Sequence, residues 1–219
     1  MAVAAAVLAV ASPGWADSKN MNPGVIPPNA SAYGKTYAEW GAKWWEWVLA
    51  IPWGDSPLAD DDGSSCGVGQ SGQVWFLAGS WVGAVTRTCT VPAGKAVFFP
   101  ILNVLYSPIV GDPDDEATLM DLATAYFTDE NAATLVCEVD GVRLQNLDRY
   151  LVGAFRFDLS IPPGGLLGND EVVTGYGVVN GFYIMLAPLS VGTHTIHFYG
   201  LAAQHPDVEQ NVTYELDVK

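Results

Sequence analysis

The sequence predicts a mainly β protein: an antiparallel β-sandwich, jelly-roll or immunoglobulin-like, with one Trp-rich N-terminal helix and a second short helix. From residue 73 onward the apolar residues alternate or form short runs bounded by Gly and Pro, which is typical of strands. Strands and helices do not alternate regularly, which disfavours a parallel α/β sheet. The chain has 219 residues, of which 50% are hydrophobic, enough for a sizeable core.

The N-terminus predicts a secretory signal peptide over residues 1–16. Residues 1–11 are almost entirely Ala, Val and Leu, a run too short to cross a bilayer of roughly 30 Å as a helix. Gly14 and Ala16 are the small residues expected before a cleavage site, although a basic start is missing. A short buried helix is the alternative. Residues 17–34 are rich in Pro, Asn and Gly and are predicted to form an extended leader.

The clearest helix is predicted from Tyr37 to about Ala50. Thr36 and Glu39 form a capping box at its start, and Pro52 prevents its continuation. Its large apolar residues repeat at helical spacing down one face, at Trp40, Trp44, Trp47 and Ile51. A platform for sugar rings or an apolar ligand is one interpretation of this stripe. Aromatic residues at helical spacing are more typical of a core, so we expect the stripe to pack against the sandwich.

The middle of the chain is predicted to add three strands and the second helix. The strands are Val74–Ala78, Ala84–Val91 and Ala96–Leu102. The helix follows the acidic turn Asp112–Glu116, whose carboxylates suit the positive N-terminal end of a helix. Its expected buried face consists of Leu119, Leu122, Ala123 and Tyr126.

The C-terminal region is predicted to consist of strands. They are Thr134–Val139, Val142–Leu144, Tyr150–Ser160, Glu171–Val173, Phe182–Ala187, Thr193–Tyr199 and Asn211–Val218. The dipeptide Asp140-Gly141 predicts a hairpin between the first two. We therefore expect an N-terminal lobe of helices and strands over residues 35–131 and a β-sandwich portion over residues 132–219. The two regions form either separate lobes or one continuous domain.

Cys66 and Cys89 are predicted to form a disulfide. Three cysteines without Cys-x-x-Cys spacing are a poor zinc or redox signature. A bridge between Cys66 and Cys89 would stabilise the fold by roughly 3 kcal/mol through the unfolded state. Cys137 lies in an apolar strand segment and is expected to be buried and free. This cysteine usage agrees with export.

The charge balance excludes several functional classes. Nine Lys and Arg stand against 24 Asp and Glu, which gives a formal net charge of −15. Such a surface repels nucleic-acid phosphates and anionic lipids, so we expect no nucleic-acid partner. The aromatic content excludes an intrinsically disordered chain. After the N-terminus no uninterrupted apolar run reaches 18 residues, so we expect no transmembrane span in the mature chain.

Several motifs together resemble a family of exported bacterial proteins of unassigned function. They are Tyr37-x-x-Trp40-x-x-x-Trp44-Trp45-x-Trp47, Gly69-Gln-Ser-Gly-Gln-Val-Trp-Phe-Leu77, Arg87-Thr-Cys-Thr-Val-Pro-Ala-Gly-Lys95, Phe98-Phe-Pro-Ile-Leu-Asn103 and His194-Thr-Ile-His-Phe198. The resemblance implies export and a shared fold, and it brings no catalytic residue. The segment 181–198 also loosely resembles the closing strands of immunoglobulin-like domains, although their Cys…Trp…Cys spacing is absent.

Three tryptophans outside the helix are the predicted ligand contacts. Trp53, Trp75 and Trp81 stand on or near predicted loops, where side chains are more often accessible than in a helix stripe. Their rings offer large apolar faces to a sugar or another ligand.

The histidines predict a transition-metal site only as an alternative. His194 and His197 are three residues apart in a strand and therefore face opposite sides, which makes them a poor pair for one metal. We favour a half-buried His194 with a hydrogen-bonded ring. The alternative is a metal bound by His194, His205 and Asp207.

An acidic turn offers a weak calcium site. Asp60, Asp62 and Ser64 place several oxygen ligands close together, but the spacing of an EF-hand and its closing Glu are missing. A solvated acidic turn is the favoured interpretation. We expect no other cofactor.

The residues as a whole favour a non-catalytic function. We expect an acidic protein, secreted or located in the periplasm or at the cell surface, that acts as a binding or surface-interaction module. Its expected partner is an extracellular glycan or protein. A secreted hydrolase, in one version metal-assisted, is the alternative, and an envelope structural protein is a further one. The oligomeric state and any glycosylation of Asn29 or Asn211 stay open.

Overall fold

The structure is a computed structural model that describes residues 22, 24–128 and 133–219, except for the side chains of residues 206 and 207. The predicted signal peptide, residues 1–16, lies outside the described residues. The helices are α1 (Tyr37–Leu49) and α2 (Glu116–Tyr126). The strands are β1 (Val74–Phe76), β2 (Val85–Val91), β3 (Ala96–Tyr106), β4 (Ala133–Val139), β5 (Val142–Arg143), β6 (Phe155–Ile161), β7 (Val173–Leu186), β8 (Gly192–Ala202) and β9 (His205–Val218).

The strands form two sheets in a sandwich-like arrangement, which confirms the mainly β fold with two helices. One sheet has the order β1-β3-β7-β6, and the other has the order β2-β9-β8-β4-β5. Most neighbouring strands are antiparallel, but β1 pairs in parallel with β3, and β2 pairs in parallel with β9. Both sheets are therefore mixed rather than purely antiparallel. The periodicity of side chains reveals that a segment is a strand but carries no information on the direction of its neighbour.

Strands from the two halves of the sequence share both sheets. β1 and β3 lie with β6 and β7, while β2 lies with the four remaining C-terminal strands. Phe99 on β3 stacks on Phe198 on β8, with ring centroids 5.1 Å apart, so the two sheets meet in a common core. Part of the predicted leader also joins this core, because Val25 bridges Leu186 at the end of β7.

Strand β7 differs from the prediction. The sequence predicts separate strands at Glu171–Val173 and Phe182–Ala187, whereas one strand runs from Val173 to Leu186. The glycines between the two predicted strands are typical of turns. In the structure, Gly177 and Gly181 lie inside the strand, at points where side chains of β3 approach the β7 backbone closely. A Cβ atom at Gly177 would lie 2.8 Å from a methyl carbon of Leu105, and one at Gly181 would lie 2.6 Å from Cβ of Asn103. Glycine inside a strand can mark such a close approach instead of a turn.

Helix α1 buries most of its tryptophans, as predicted. The capping box is present, with the Thr36 amide donating to the Glu39 carboxylate at 2.7 Å. Trp44 is only 1% exposed, and its indole donates to the Leu77 carbonyl at 2.8 Å. Trp45 and Trp47 are buried as well, whereas Trp40 is half-buried.

Helix α2 packs against β3 and β7 through a narrow face. Leu119, Ala123 and Tyr126 are buried as predicted, but Leu122 is 38% exposed, so its predicted burial is wrong. The buried face is the one turned to β7, where the Asn180 side chain donates to the Ala123 carbonyl at 2.8 Å. Among the described residues, no helix combines the length and the apolar character needed to cross a membrane.

Candidate ligand-binding groove

Two of the three predicted contact residues lie side by side on the surface. Trp53 stands on a short 3₁₀ turn, Trp53–Asp55, after α1, and Trp81 stands on the loop before β2. Their ring centroids are 6.0 Å apart with an interplanar angle of 30°, and the side chains are 53% and 52% exposed. Tryptophan usually buries most of its large apolar area, so two half-exposed rings in contact are unusual.

The two rings form the rim of an apolar groove of about 330 Å³, here called the tryptophan groove. Its walls come from α1, β3 and two loops, and they consist of Trp45, Leu49, Leu105, Val110, Leu166 and Leu167. Val110 and Leu167 are themselves well exposed, at 45% and 44%. The groove therefore collects four large exposed apolar side chains in one place, instead of the scattered single residues that are normal on a surface.

A buried arginine holds the loop that carries Trp81. Arg87 on β2 is fully buried, and its guanidinium donates to the carbonyl oxygens of Ala78 at 3.1 Å and Gly79 at 2.9 Å. The same group donates twice to the Asp60 carbonyl, at 2.9 and 2.6 Å, and once to the Tyr214 hydroxyl at 2.8 Å. Nε and Nη2 both donate to Asp60, and Nη1 faces the other three acceptors, so every nitrogen of this buried cation has a hydrogen-bond partner.

Two further links hold the loops around the groove, one between the loops and one to β2. The Trp81 amide donates to the Leu58 carbonyl at 2.9 Å, which ties the Trp81 loop to residues that follow Trp53. The predicted disulfide between Cys66 and Cys89 is confirmed, and Cys137 is free and buried, as predicted. Both loops that carry the tryptophan pair are thus attached to the sandwich.

Sequence reasoning missed the role of Arg87, although a signal was present. Along β2 the buried positions alternate with exposed threonines, and Arg87 occupies a buried position in line with Cys89 and Val91. A lone arginine on the inward face of an alternating strand predicts a buried hydrogen-bonded cation.

A polar cleft of about 440 Å³ lies beside Trp81, which lines both cavities. Its polar side chains include Glu209, Gln210 and Asn211 on β9. Gln210 closes against the Trp81 loop, because its side chain accepts from the Ser80 amide at 2.7 Å and donates to the Ser80 carbonyl at 3.2 Å.

Trp75, the third predicted contact, has a different environment. It lies half-buried on β1, and it lines neither the tryptophan groove nor the polar cleft. Its indole Nε1 is buried without a hydrogen-bond partner among the described residues. The structure brings together Trp53 and Trp81 only.

The acidic turn of the predicted calcium site folds around its own backbone. The carboxylate of Asp60 accepts from the amides of Asp62, Gly63 and Ser65 at 3.1, 2.9 and 3.0 Å. The Ser64 amide donates to the Asp62 carboxylate at 2.9 Å, and this backbone hydrogen bond lowers the pKa of Asp62. One carboxylate oxygen from each of the residues 60–62 lies within 4.8 Å of the others. Calcium binding there stays a prediction, with a self-capped acidic turn as the alternative.

His194 is held between two acceptors. Its Nδ1 lies 2.7 Å from a carboxylate oxygen of Asp140, and its Nε2 lies 2.9 Å from the Ser190 carbonyl and 3.2 Å from the Ser190 hydroxyl. The hydrogen bond to Asp140 raises the pKa of His194. A carbonyl oxygen can only accept, so Nε2 carries a hydrogen and is not free to take the serine proton. The three residues therefore form a charged clamp between two loops and not a nucleophile with its base.

His205 lies far from His194. His205 pairs with Ala202 on β8, and His194 lies eight residues earlier on the same strand, roughly 25 Å away at the rise of a β-strand. The ring of His205 stacks on Tyr126 at a centroid distance of 4.3 Å. The side chain of Asp207 lies outside the described residues. The two histidines therefore do not share one metal in this arrangement.

Comparison with known proteins gives no family. No protein-family model and no curated protein matches the chain. The chain is similar to the cysteine protease inhibitor EhICP2 from Entamoeba histolytica at 14% identity, covering 67% of this chain and 96% of that one, with a TM-score of 0.26. It is also similar to amebosin at 11% identity, covering 62% of this chain and 96% of that one, with a TM-score of 0.23. Scores this low carry no information on function, and membership of the exported bacterial family stays a prediction.

Proposed function

We propose that the protein is an exported binding module that holds an apolar group of its ligand in the tryptophan groove. The observation that carries the proposal is the contact pair of half-exposed rings, Trp53 and Trp81, at the rim of an apolar groove. Contiguous exposed apolar surface of this kind typically marks an interaction site. A ligand group that covers about 100 Å² of this surface would gain about 2.5 kcal/mol.

The loops that carry Trp53 and Trp81 are held in place, which favours a ligand site over two rings that are exposed by chance. Arg87 and the Cys66–Cys89 bridge fix the loops to the sandwich before any ligand arrives. A rim that is already ordered loses little conformational entropy on binding, so more of the contact energy appears as affinity.

Carbohydrate binding is the second candidate, favoured by the polar cleft. A sugar ring combines an apolar face with hydroxyl groups, so it needs an aromatic ring beside hydrogen-bonding side chains. Trp81 supplies the ring, and Glu209 and Asn211 line the same cleft. Trp53 does not line this cleft, which makes the two candidates separable.

Single substitutions decide between the two candidates. We expect Trp53→Ala and Trp81→Ala each to weaken binding of an alkyl or aryl ligand about tenfold, measured by isothermal titration calorimetry. Glycan-array binding should instead be lost in Trp81→Ala and Glu209→Gln and kept in Trp53→Ala. Val191→Ala is the control, because Val191 is 72% exposed and lines neither cavity.

Two outcomes would contradict the proposal. If a ligand binds and both tryptophan variants keep its affinity, neither cavity is the site. If no apolar ligand or glycan binds the wild-type protein, the envelope structural protein becomes the better hypothesis.

Export and the absence of catalysis belong to the same proposal. The Cys66–Cys89 disulfide supports an oxidising compartment, since such bonds are rare in a reducing cytosol. The hydrolase alternative would draw on His194, but both nitrogens of this ring face acceptors. Recovery of the protein from a periplasmic or culture-medium fraction with the disulfide intact tests export.

A further inference from the structure

A third cavity, of about 570 Å³, lies between α1 and the loop 68–74 and shares no lining residue with the tryptophan groove or the polar cleft. One wall is a helix face whose residues follow helical spacing, at Trp40, Lys43, Trp47 and Ala50. The other wall is the glycine-rich loop. We call this cavity the lysine cleft, and its volume lies within the range of small-molecule sites, roughly 300–1,000 Å³.

The loop wall is open and firmly held. Gly69 has a φ of +66°, and a Cβ atom there would lie 3.2 Å from Nε1 of Trp47, so the bare backbone lies against the helix. The Trp47 indole donates to the Val68 carbonyl at 2.9 Å. The Gln70 side chain donates to the carbonyls of Cys66 and Phe76 at 3.0 and 2.8 Å and accepts from the Phe76 amide at 3.0 Å. The cleft is therefore formed without a ligand.

The floor of the cleft is aromatic. The ring of Phe76 lies 6.1 Å from that of Trp40 and 5.4 Å from that of Trp47, centroid to centroid. Trp40 and Phe76 are half-buried, so part of each ring is accessible. This floor suits a flat apolar group, which stacks or packs edge-on against such rings.

The rim of the cleft concentrates the scarce positive charge of the chain. Lys35 and Lys43 line it together with the carboxylate of Glu46, and Lys95 is bonded to Gly72 of the loop wall, in a protein of net charge −15. Lys35 Nζ lies 6.0 Å from the Trp40 ring centroid, and Lys95 donates to the Gly72 carbonyl. Lys43 pairs with Glu46 at 2.5 Å. Among the residues that the structure describes, no carboxylate lies within 4.0 Å of the ammonium of Lys35 or Lys95.

We propose that the lysine cleft binds a small aromatic carboxylate, with its ring on the Trp40 and Phe76 floor and its carboxylate towards Lys35 and Lys95. Two ammonium groups that make no close ion pair favour an anion, and the aromatic floor favours a flat apolar body. A neutral ligand would leave both ammonium groups without a close counter-ion, and a strongly hydrated inorganic anion would leave the floor uncovered. The proposal is independent of the function proposed for the tryptophan groove.

Naphthoate and its neutral analogue naphthylmethanol are the probes, titrated into the full chain by isothermal titration calorimetry. We expect naphthoate to bind at least fivefold more tightly than naphthylmethanol. Lys35→Gln and Lys95→Gln should each weaken naphthoate binding about three- to fivefold, as expected for a partly exposed ion pair, and should leave naphthylmethanol unaffected. Raising the salt concentration should weaken naphthoate binding to the wild type and hardly affect it in the double variant.

Two control variants locate the binding. Lys219→Gln removes an exposed charge that does not line the cleft and should change nothing. Because the tryptophan groove is also proposed to hold aryl groups, Trp53→Ala is the background for a second comparison, in which Lys35→Gln should still weaken naphthoate binding about three- to fivefold. The proposal fails if naphthoate does not bind, if the double lysine variant binds it as tightly as the wild type, or if Lys35→Gln has no effect on naphthoate binding in the Trp53→Ala background. Ser71→Trp, which places a large side chain at the mouth of the cleft, gives a second test that removes no charge. Its failure to weaken naphthoate binding would also overturn the proposal.

Discussion

The tryptophans of helix α1 and the tryptophan pair at the groove rim differ in exposure: the former are mostly buried, and the latter are half-exposed. Trp44 and its neighbours on the helix are buried, and the Trp44 indole is hydrogen-bonded to a main-chain carbonyl. Trp53 and Trp81 stand half-exposed in contact with each other. The difference lies in the supporting structure: a helix face presents its side chains to the sheets, whereas the groove pair sits on loops that other residues hold in place.

This contrast shows where exposed aromatic surface comes from. The helix group is arranged by a local repeat, so its burial follows from packing one amphipathic face. The groove pair depends on contacts between distant parts of the chain, above all those of Arg87 with the loops at residues 60 and 78–79. Stability therefore resides in fully buried rings such as Trp44, and ligand binding is proposed where rings stay partly exposed.

Replacing one tryptophan from each group gives the largest expected difference. Trp44→Ala removes a fully packed ring and should lower the free energy of unfolding by about 3–5 kcal/mol. Trp53→Ala removes a half-exposed ring and should change the free energy by less than about 0.5 kcal/mol, since surface substitutions usually have small effects. Denaturant titration of both variants measures the two values. Equal losses would mean that the groove pair is structural, which would remove the basis for a ligand site there.

The features that the sequence predicts are those that depend on local residue patterns. The burial of the α1 stripe follows from residue spacing, and strands such as β2 follow from alternation, because both patterns are local. The contact of Trp53 with Trp81 and the single long strand β7 depend on neighbours far along the chain. The glycines of β7 illustrate the limit: Gly177 and Gly181 fit a turn in sequence, but close approaches by Leu105 and Asn103 explain them. The lysine cleft was missed for the same reason, since Lys35, the α1 face and the loop 68–74 line one cavity only in the fold.

Replacing Arg87 tests whether its buried guanidinium holds the loops of the tryptophan groove in place. Arg87→Met keeps the apolar stem but removes the five guanidinium contacts, which leaves the carbonyl oxygens of Asp60 and Gly79 without their donor, whereas the Ala78 carbonyl keeps the Tyr214 hydroxyl at 3.0 Å. We expect a loss of about 3 kcal/mol in the free energy of unfolding, since unsatisfied buried groups are costly. We also expect weaker binding of apolar ligands in the tryptophan groove. Denaturant titration and isothermal titration calorimetry measure the two effects.

Arg156→Met is the matched control for Arg87→Met. Arg156 is 40% exposed and makes surface ion pairs with Glu116 and Asp158. Its replacement should cost less than about 0.5 kcal/mol, because exposed ion pairs contribute little. A loss in Arg87→Met no larger than in this control would show that the Trp81 loop is held by other contacts.

The ion pair between His194 and Asp140 should have the smallest effect on the free energy of unfolding, because it is partly exposed, unlike the buried Arg87 network. The ring joins the β4–β5 turn to the loop before β8, and the Thr195 amide also donates to Asp140 at 2.8 Å. The hydrogen bond to Asp140 raises the pKa of His194. Burial opposes ionisation of Asp140, but the hydrogen bonds from His194 and from the Thr195 amide lower the pKa of that carboxyl.

These two shifts define the pH range in which the clamp stabilises the fold. A histidine whose pKa is higher in the folded state adds stability that is fully present below its unfolded pKa, about 6.5, and is lost as the pH rises through the folded value. A carboxyl whose pKa is lower in the folded state adds stability that is present above about 3.9 and is lost as the pH falls through the folded value. The clamp should therefore contribute most near pH 5.5. We expect His194→Gln to cost about 0.5–1 kcal/mol at that pH and less than half of this at pH 8.5. Denaturant titration of wild type and variant at both pH values isolates this contribution, since the other histidines are common to both proteins. A cost that is the same at both pH values would show that the ring acts through packing and not through its charge.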